Sequence, residues 1–314
     1  MRERVIAILC SGQGRQHAGM FSLTGDAPEA GALFAHATTL LGGDPRSWVR
    51  SAGEDALHQN RTAQLLCTLQ ALSAAAVLAD LLPQRLCIAG YSVGEMAAWS
   101  IAGLIAEAEV LNLVTQRAEA MDASSKSEQG MLFVRGLPRA AIDELCACRE
   151  AAIAIVDPGD AWVLGGQRSA LDAIAIEAVH RGASRVVPIA VRVASHTYLM
   201  ADASPVFRRS LAAVRIQGAT RAGTRLFSGI DATAVFDTFA GLDKLALQIS
   251  HPVQWASCLA SCVEAGARAF FELGPGHALA DMAAGCYPGM TARSFDDFRT
   301  LQGVRAWLQR VTHE

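Results

Sequence analysis

The sequence has no run of five or more basic residues, and its formal net charge is only −3. Without a basic stripe there is no electrostatic footprint for nucleic acid, and the scattered Lys and Arg read as a solvated surface. No apolar stretch approaches the roughly 18 residues of a membrane span. The run Val5–Cys10 behind the charged Met1-Arg-Glu-Arg start is too short for an export signal and leads into Gly12-Gln13-Gly14. Repeats, low-complexity tracts and long linkers are missing as well. Cys146-x-Cys148 has no matching second pair, so neither a metal site nor a redox motif is expected. Several of the eight cysteines sit inside apolar runs, as reduced core thiols do. The expected compartment is therefore the cytoplasm.

What is present is apolar. Hydrophobic residues make up 52% of the 314 and charged residues 18%, which supports a large interior and excludes disorder. Val5–Cys10 reads as a buried parallel strand and 85–90 as the next, with a helix over 62–82 that is apolar nearly all round. Helices are expected at 95–100 and 107–122, broken at Gly103. Strands at 131–134, 152–156, 161–164 and 186–191, with helices at 138–148 and 169–180, give the ferredoxin-like order β-α-β-β-α-β. A helix at 204–213, strands at 226–228 and 269–273, and a helix at 298–311 follow. The expectation is a large α/β domain with a parallel sheet, formed by 1–126 and 191–314, and a small inserted domain at 127–190.

Gly90-Tyr91-Ser92-Val93-Gly94 fits G-x-S-x-G between a strand and a helix, the context of a nucleophile elbow. The alternative is an ordinary tight turn. An elbow serine needs a base within roughly 2.6–3.2 Å. Of eight histidines, His196 is placed at the end of a strand, in Val193-Ala-Ser-His-Thr, and His277, in Gly274-Pro-Gly-His, is its rival. Val110, Val114, Arg117 and Met121 share one helical stripe, so Arg117 must snorkel, pair with a core acid or grip a substrate carboxylate with its planar fork. In Gly12-Gln13-Gly14 the Gln13 amide is a candidate oxyanion donor, and position 17 is His17, which breaks the dinucleotide spacing G-x-G-x-x-G.

In combination these residues resemble the malonyl-CoA:acyl carrier protein transacylase family over essentially the whole chain. The matching pieces are Gly12-Gln13-Gly14-Arg-Gln16, Gly90-Tyr-Ser92-Val-Gly94-Glu95, Arg117-x-x-x-Met121, Ser195-His196-x-x-Leu199-Met200, Gln248 ahead of His251-Pro-Val-Gln-Trp255, and Glu272-Leu-Gly-Pro-Gly276. The resemblance implies an α/β-hydrolase-like domain with a ferredoxin-like insert. It implies Ser92 as nucleophile, His196 as general base, Arg117 as the ligand of the malonyl carboxylate, and the backbone amides of Gln13 and Val93 as the oxyanion hole. Gln248 is implied to orient the histidine through its main-chain carbonyl, so that no Asp completes a triad.

The implied reaction carries malonyl from coenzyme A to a phosphopantetheine-type thiol of an acyl carrier protein, with no metal or redox cofactor. Three departures stand out: Cys10-Ser11 where the family has Phe-Pro, Tyr91 where it has His, and Asp157-Pro-Gly-Asp160 in place of an Asn-containing turn. With Gly19-Met-Phe and Val163-Leu-Gly-Gly166, the Tyr-containing elbow is similar to the malonate decarboxylase epsilon subunit, whose acceptor is that enzyme's carrier subunit. The alternatives are a fatty-acid or polyketide malonyl transacylase, a serine thioesterase or hydrolase, which normally has an acid between Ser and His in chain order, and a silent scaffold.

Overall fold

A computed structural model describes residues 4–218 and 220–313. The strands are β1 (Val5–Cys10), β2 (Leu86–Gly90), β3 (Gln129–Arg135), β4 (Ala151–Asp157), β5 (Ala161–Gln167), β6 (Arg185–Ile189), β7 (Thr224–Phe227), β8 (Ala267–Glu272) and β9 (Thr291–Ser294). Five of them form a fully parallel sheet in the order β7-β2-β1-β8-β9. Every residue of β1 and β2 is buried, which is why both read as continuous apolar runs with no alternation. β1 is the middle strand, so its carboxyl end and that of β2 open at the centre of one sheet edge, where sites of parallel α/β sheets gather.

The other four strands form an antiparallel sheet in the order β4-β5-β3-β6. With the helices Arg139–Ala147 and Arg168–His180 between them, they give the β-α-β-β-α-β order expected from the sequence. Leu132, Ile142, Leu145, Leu164 and Ile174 belong to a separate core beneath this sheet. A backbone bridge links the second sheet to the larger domain. Val156 donates to the Val253 carbonyl at 2.9 Å and Val253 donates to Ala154 at 2.9 Å, which ties β4 to the segment before the helix Trp255–Glu264.

Two helices differ from expectation. The apolar helix spans Asn60–Val77 and does not reach 82. Leu78 and Leu82 are buried in turns, so the apolar pattern continues past the helix, while Pro83 disfavours helical geometry at the residue before it. The last helix spans Leu301–His313. Phe298, expected to open it, is extended and packs its ring on Phe271 and Trp307, and the Thr300 hydroxyl accepts from Gly303 N–H as the cap. The helices Gly31–Leu41, Thr238–Leu247, Trp255–Glu264 and Ala278–Cys286 and the edge strand β9 were not read from the sequence.

Candidate active site

Ser92 lies between β2 and the helix Gly94–Ile101, at φ 56°. The flanking glycines are required by close approach. A β-carbon at Gly90 would lie 2.1 Å from the Glu95 nitrogen, and one at Gly94 would lie 2.0 Å from the Cys10 carbonyl oxygen. The turn is therefore sharp, and it lifts the serine hydroxyl out of the sheet. The helix that follows begins at Gly94, directly behind Val93.

His196 meets it from 104 residues away, with Nε2 2.7 Å from the Ser92 Oγ. The sequence places His196 at a strand end, but β6 stops at Ile189 and 190–197 is a loop. That loop is held by cross-chain bonds in place of a strand ladder: Ala194 N–H donates to the Gln129 side chain at 3.0 Å and His196 N–H donates to Ile249 at 2.7 Å. His196 itself takes φ 63°.

Its Nδ1 lies 2.6 Å from the Gln248 carbonyl. A carbonyl only accepts, so Nδ1 carries the proton and Nε2 is left free to accept from Ser92. Burial, reinforced by the nearby Arg117 charge and opposed by the Gln248 carbonyl, pushes the imidazole pKa down to about 3. The ring is neutral near pH 7, the form in which it can take a proton. His277, the rival, is an exposed residue paired with Asp281 on its own helix, and it lies outside the serine's surroundings.

Arg117 is 1% exposed, with the rest of its stripe, Val110, Val114 and Met121, also buried. Its Nη1 donates to Gln64 Oε1 at 2.6 Å and its Nη2 to Gln248 Oε1 at 3.3 Å, while Nε has no partner. Among the described residues no carboxylate pairs with it directly. The core acid sits one residue further along, because Gln248 Nε2 donates to Glu95 Oε2 at 2.5 Å. Gly229 N–H also donates to that oxygen at 3.0 Å. Burial raises Glu95 to about 7 against these bonds, and burial lowers Arg117 to about 10, so the guanidinium stays charged near neutrality.

Gln64 also reaches Asn60 at 2.8 Å, and Asn60 accepts from the Gln13 side chain at 3.4 Å. One polar chain therefore runs Gln13–Asn60–Gln64–Arg117–Gln248–Glu95 beneath the serine. Among the described residues the backbone N–H groups of Gln13 and Val93 have no acceptor in the chain. Gln13, Tyr91, Ser92 and His196 line a cavity of about 50 Å³, closed on the side of the second sheet by Met131 and Val163.

Comparison with known proteins decides the family. Residues 8–287 match the acyl transferase domain. A malonyl CoA-acyl carrier protein transacylase from Mycobacterium tuberculosis is 31% identical over 301 residues, with 92% of this chain and 96% of that protein covered. The chain belongs to the malonyl CoA-acyl carrier protein transacylase family. Among solved structures it is similar to the acyl-carrier-protein S-malonyltransferase of Burkholderia pseudomallei, with TM-score 0.87, 26% identity and 98% and 100% of the two chains covered. It also shares its fold with the transacylase of Coxiella burnetii, with TM-score 0.90, 24% identity and 99% of each chain covered.

Within this acyltransferase fold the departures at Tyr91 and Asp157 meet each other. The Tyr91 hydroxyl lies 3.3 Å from Asp157 Oδ2, and its ring packs edge-on against Trp255. Burial pushes the Asp157 carboxyl up to about 7. Ser11, the third departure, donates to buried Glu272 at 2.5 Å. Sequence reasoning assigned no role to Gln64, Glu95, Asn60, Asp157 or Glu272. Glu95 and Glu272 were visible only as members of the matching motifs and Asp157 only as a departure, while Asn60 and Gln64 showed no more than polarity inside an apolar segment.

Proposed function

We propose that the chain transfers malonyl from malonyl-CoA to the phosphopantetheine-type thiol of an acyl carrier protein through a malonyl-Ser92 ester. The observation that carries this is a buried, charged Arg117 with no direct ionic partner among the described residues, bonded to the side chain of Gln248, whose main-chain carbonyl orients His196. Ser92 Oγ attacks the thioester carbonyl as His196 Nε2 takes its proton. The Gln13 and Val93 amides receive the oxyanion, and one such donor is typically worth about 2.7–4 kcal/mol. The tetrahedral intermediate collapses, the C–S bond breaks, and His196 returns the proton to the departing coenzyme A thiolate. The carrier thiol then gives its proton to His196, attacks the ester, and Ser92 Oγ leaves as a hydroxyl.

Arg117 favours an acyl group with a free carboxylate, since a neutral acyl group leaves the guanidinium uncompensated. These steps call on no resident metal or redox cofactor. No helix among the described residues is long and apolar enough to cross a membrane, which is compatible with the cytoplasmic location we propose. We assign the body of the enzyme to 1–126 and 191–314 and its cover to 127–190.

The proposed acceptor is the carrier subunit of a malonate decarboxylase, and the fatty-acid carrier is the second reading. The first is supported by Tyr91 and its Asp157 partner in place of the usual elbow histidine and Asn-containing turn. Two experiments test the proposal. Arg117→Ala should lower the ratio of malonyl to acetyl transfer by at least about tenfold. An unchanged ratio with a large fall in Tm would make Arg117 structural. A clear rate preference for the fatty-acid carrier would reject the decarboxylase carrier.

A further inference from the structure

Beside the serine cavity lies a wider groove of about 650 Å³, and Ile189 and Val191 line both. Three arginines face it: Arg15, Arg168 and Arg192. Among the described residues the guanidinium groups of Arg15 and Arg168 have no hydrogen-bonded or ionic partner, while the Arg168 backbone N–H donates to Glu128 at 2.9 Å. Arg168 opens the helix Arg168–His180, where the backbone dipole disfavours a cation, and no side chain caps that helix. Its guanidinium is laid over Gly130, which has no side chain to contest the place, with the guanidinium carbon 3.5 Å from where a β-carbon would stand. Arg192 is bound by Asp55 at 2.5 Å, an ion pair between the loop that carries His196 and the short helix Glu54–Leu57. Both of its members are exposed, so water and salt weaken the pair and a stronger anion can replace Asp55. Among the described residues Glu54 is the only other acid on the groove wall.

We infer that Arg15, Arg168 and Arg192 form a phosphate-binding rim, with Asp55 holding Arg192 until a phosphate takes its place. Planar guanidinium groups suit bidentate contacts to phosphate oxygens. The phosphate is the one next to pantetheine, which donor coenzyme A and an acceptor carrier have in common. A groove that shares the walls Ile189 and Val191 with the serine cavity lets the pantetheine arm run inward while its phosphate stays on the rim. The inference rests on the malonyl-thioester reading above and adds the residues that seat the arm of either substrate.

The test compares three thioesters in Ser92 acylation: malonyl-CoA, malonyl-4′-phosphopantetheine, and malonyl-N-acetylcysteamine, which has no phosphate. Arg168→Ala and Arg192→Ala should each raise KM for the two phosphorylated thioesters by about tenfold relative to the phosphate-free one. The difference should shrink as salt is added. Asp55→Asn should lower KM for malonyl-CoA, because it frees Arg192. Equal effects on all three thioesters, a change confined to malonyl-CoA, or a higher KM in Asp55→Asn would overturn the rim. Failure of every thioester to acylate Ser92 in the unaltered protein would instead reject the malonyl reading itself, so the two failures are distinct.

Discussion

Gln248 accepts the Nδ1–H of His196 on its main-chain carbonyl, 2.6 Å away, and the amide side chain of the same residue bridges Arg117 to Glu95. A single residue thus sets the tautomer of His196 and completes the shell of Arg117, the cation proposed to bind the substrate carboxylate. The first role survives any substitution that keeps the backbone in place, and the second does not.

Gln248→Ala separates the two roles. The carbonyl remains, while Arg117 loses an acceptor and buried Glu95 loses a donor. Stability should fall by about 1–3 kcal/mol, the usual cost of stranding a buried polar group. Malonyl transfer should fall more than acetyl transfer, which steady-state rates with both thioesters would read. Equal losses would mean that the bridge has no part in selectivity.

Replacement of the two competing histidines gives a ranking. His196→Ala should slow acylation by at least about 10²-fold, the contribution of a positioned general base. His277→Ala should change it little, because that ring is exposed and engaged with Asp281. The reverse order would displace His196 from the mechanism.

The pH profile carries the sign of the His196 shift. With its pKa pushed down to about 3 from the ordinary 6.5, the base is neutral well below neutrality. Single-turnover acylation should therefore hold from pH 7 down to about pH 5. The profile of Glu95→Gln should accompany it, since Glu95 itself is raised to about 7. A one-proton fall near 6.5 in that variant contradicts the shift.

Stability should run the other way with pH. Burial raises Glu272 from 4.5 to about 8. A raised pKa means that the folded chain holds the proton more tightly, so the stability it contributes is full below 4.5 and is lost as pH climbs through 8. Glu95 and Asp157, both raised to about 7, act in the same direction. His196, with its lowered pKa, contributes stability above 6.5 that is lost toward pH 3. Tm should fall between pH 6 and pH 9, and Glu272→Gln should flatten that fall. A Tm that rises over this range would contradict the assignment.

Much of this site is local in the sequence. The glycines around Ser92 announce the turn, since strand, tight turn and helix follow within a dozen residues, and Arg117 is conspicuous as the one charge on an apolar helical stripe. His196 is less legible. Its contact with Ser92 spans 104 residues and sits in a loop with no periodicity, so apart from a strand end that is in fact a loop, only the resemblance separated it from His277. The remainder of the polar chain was not legible. Gln64 lies inside a helix that reads as apolar all round, and pattern reasoning has no means of telling a buried glutamine from an exposed one. Its bond to Arg117 spans 53 residues, and that of Gln248 to Glu95 spans 153. Such pairs exist only once the sheet has brought their elements together.

The central claim is the malonyl-Ser92 ester, and intact mass after mixing with malonyl-CoA in the absence of carrier tests it most directly. The account predicts one malonyl unit on the chain, located at Ser92, absent in a folded Ser92→Ala variant and discharged when the acceptor carrier is added. A malonyl adduct of undiminished yield in Ser92→Ala, or no adduct on the unaltered protein, would contradict it.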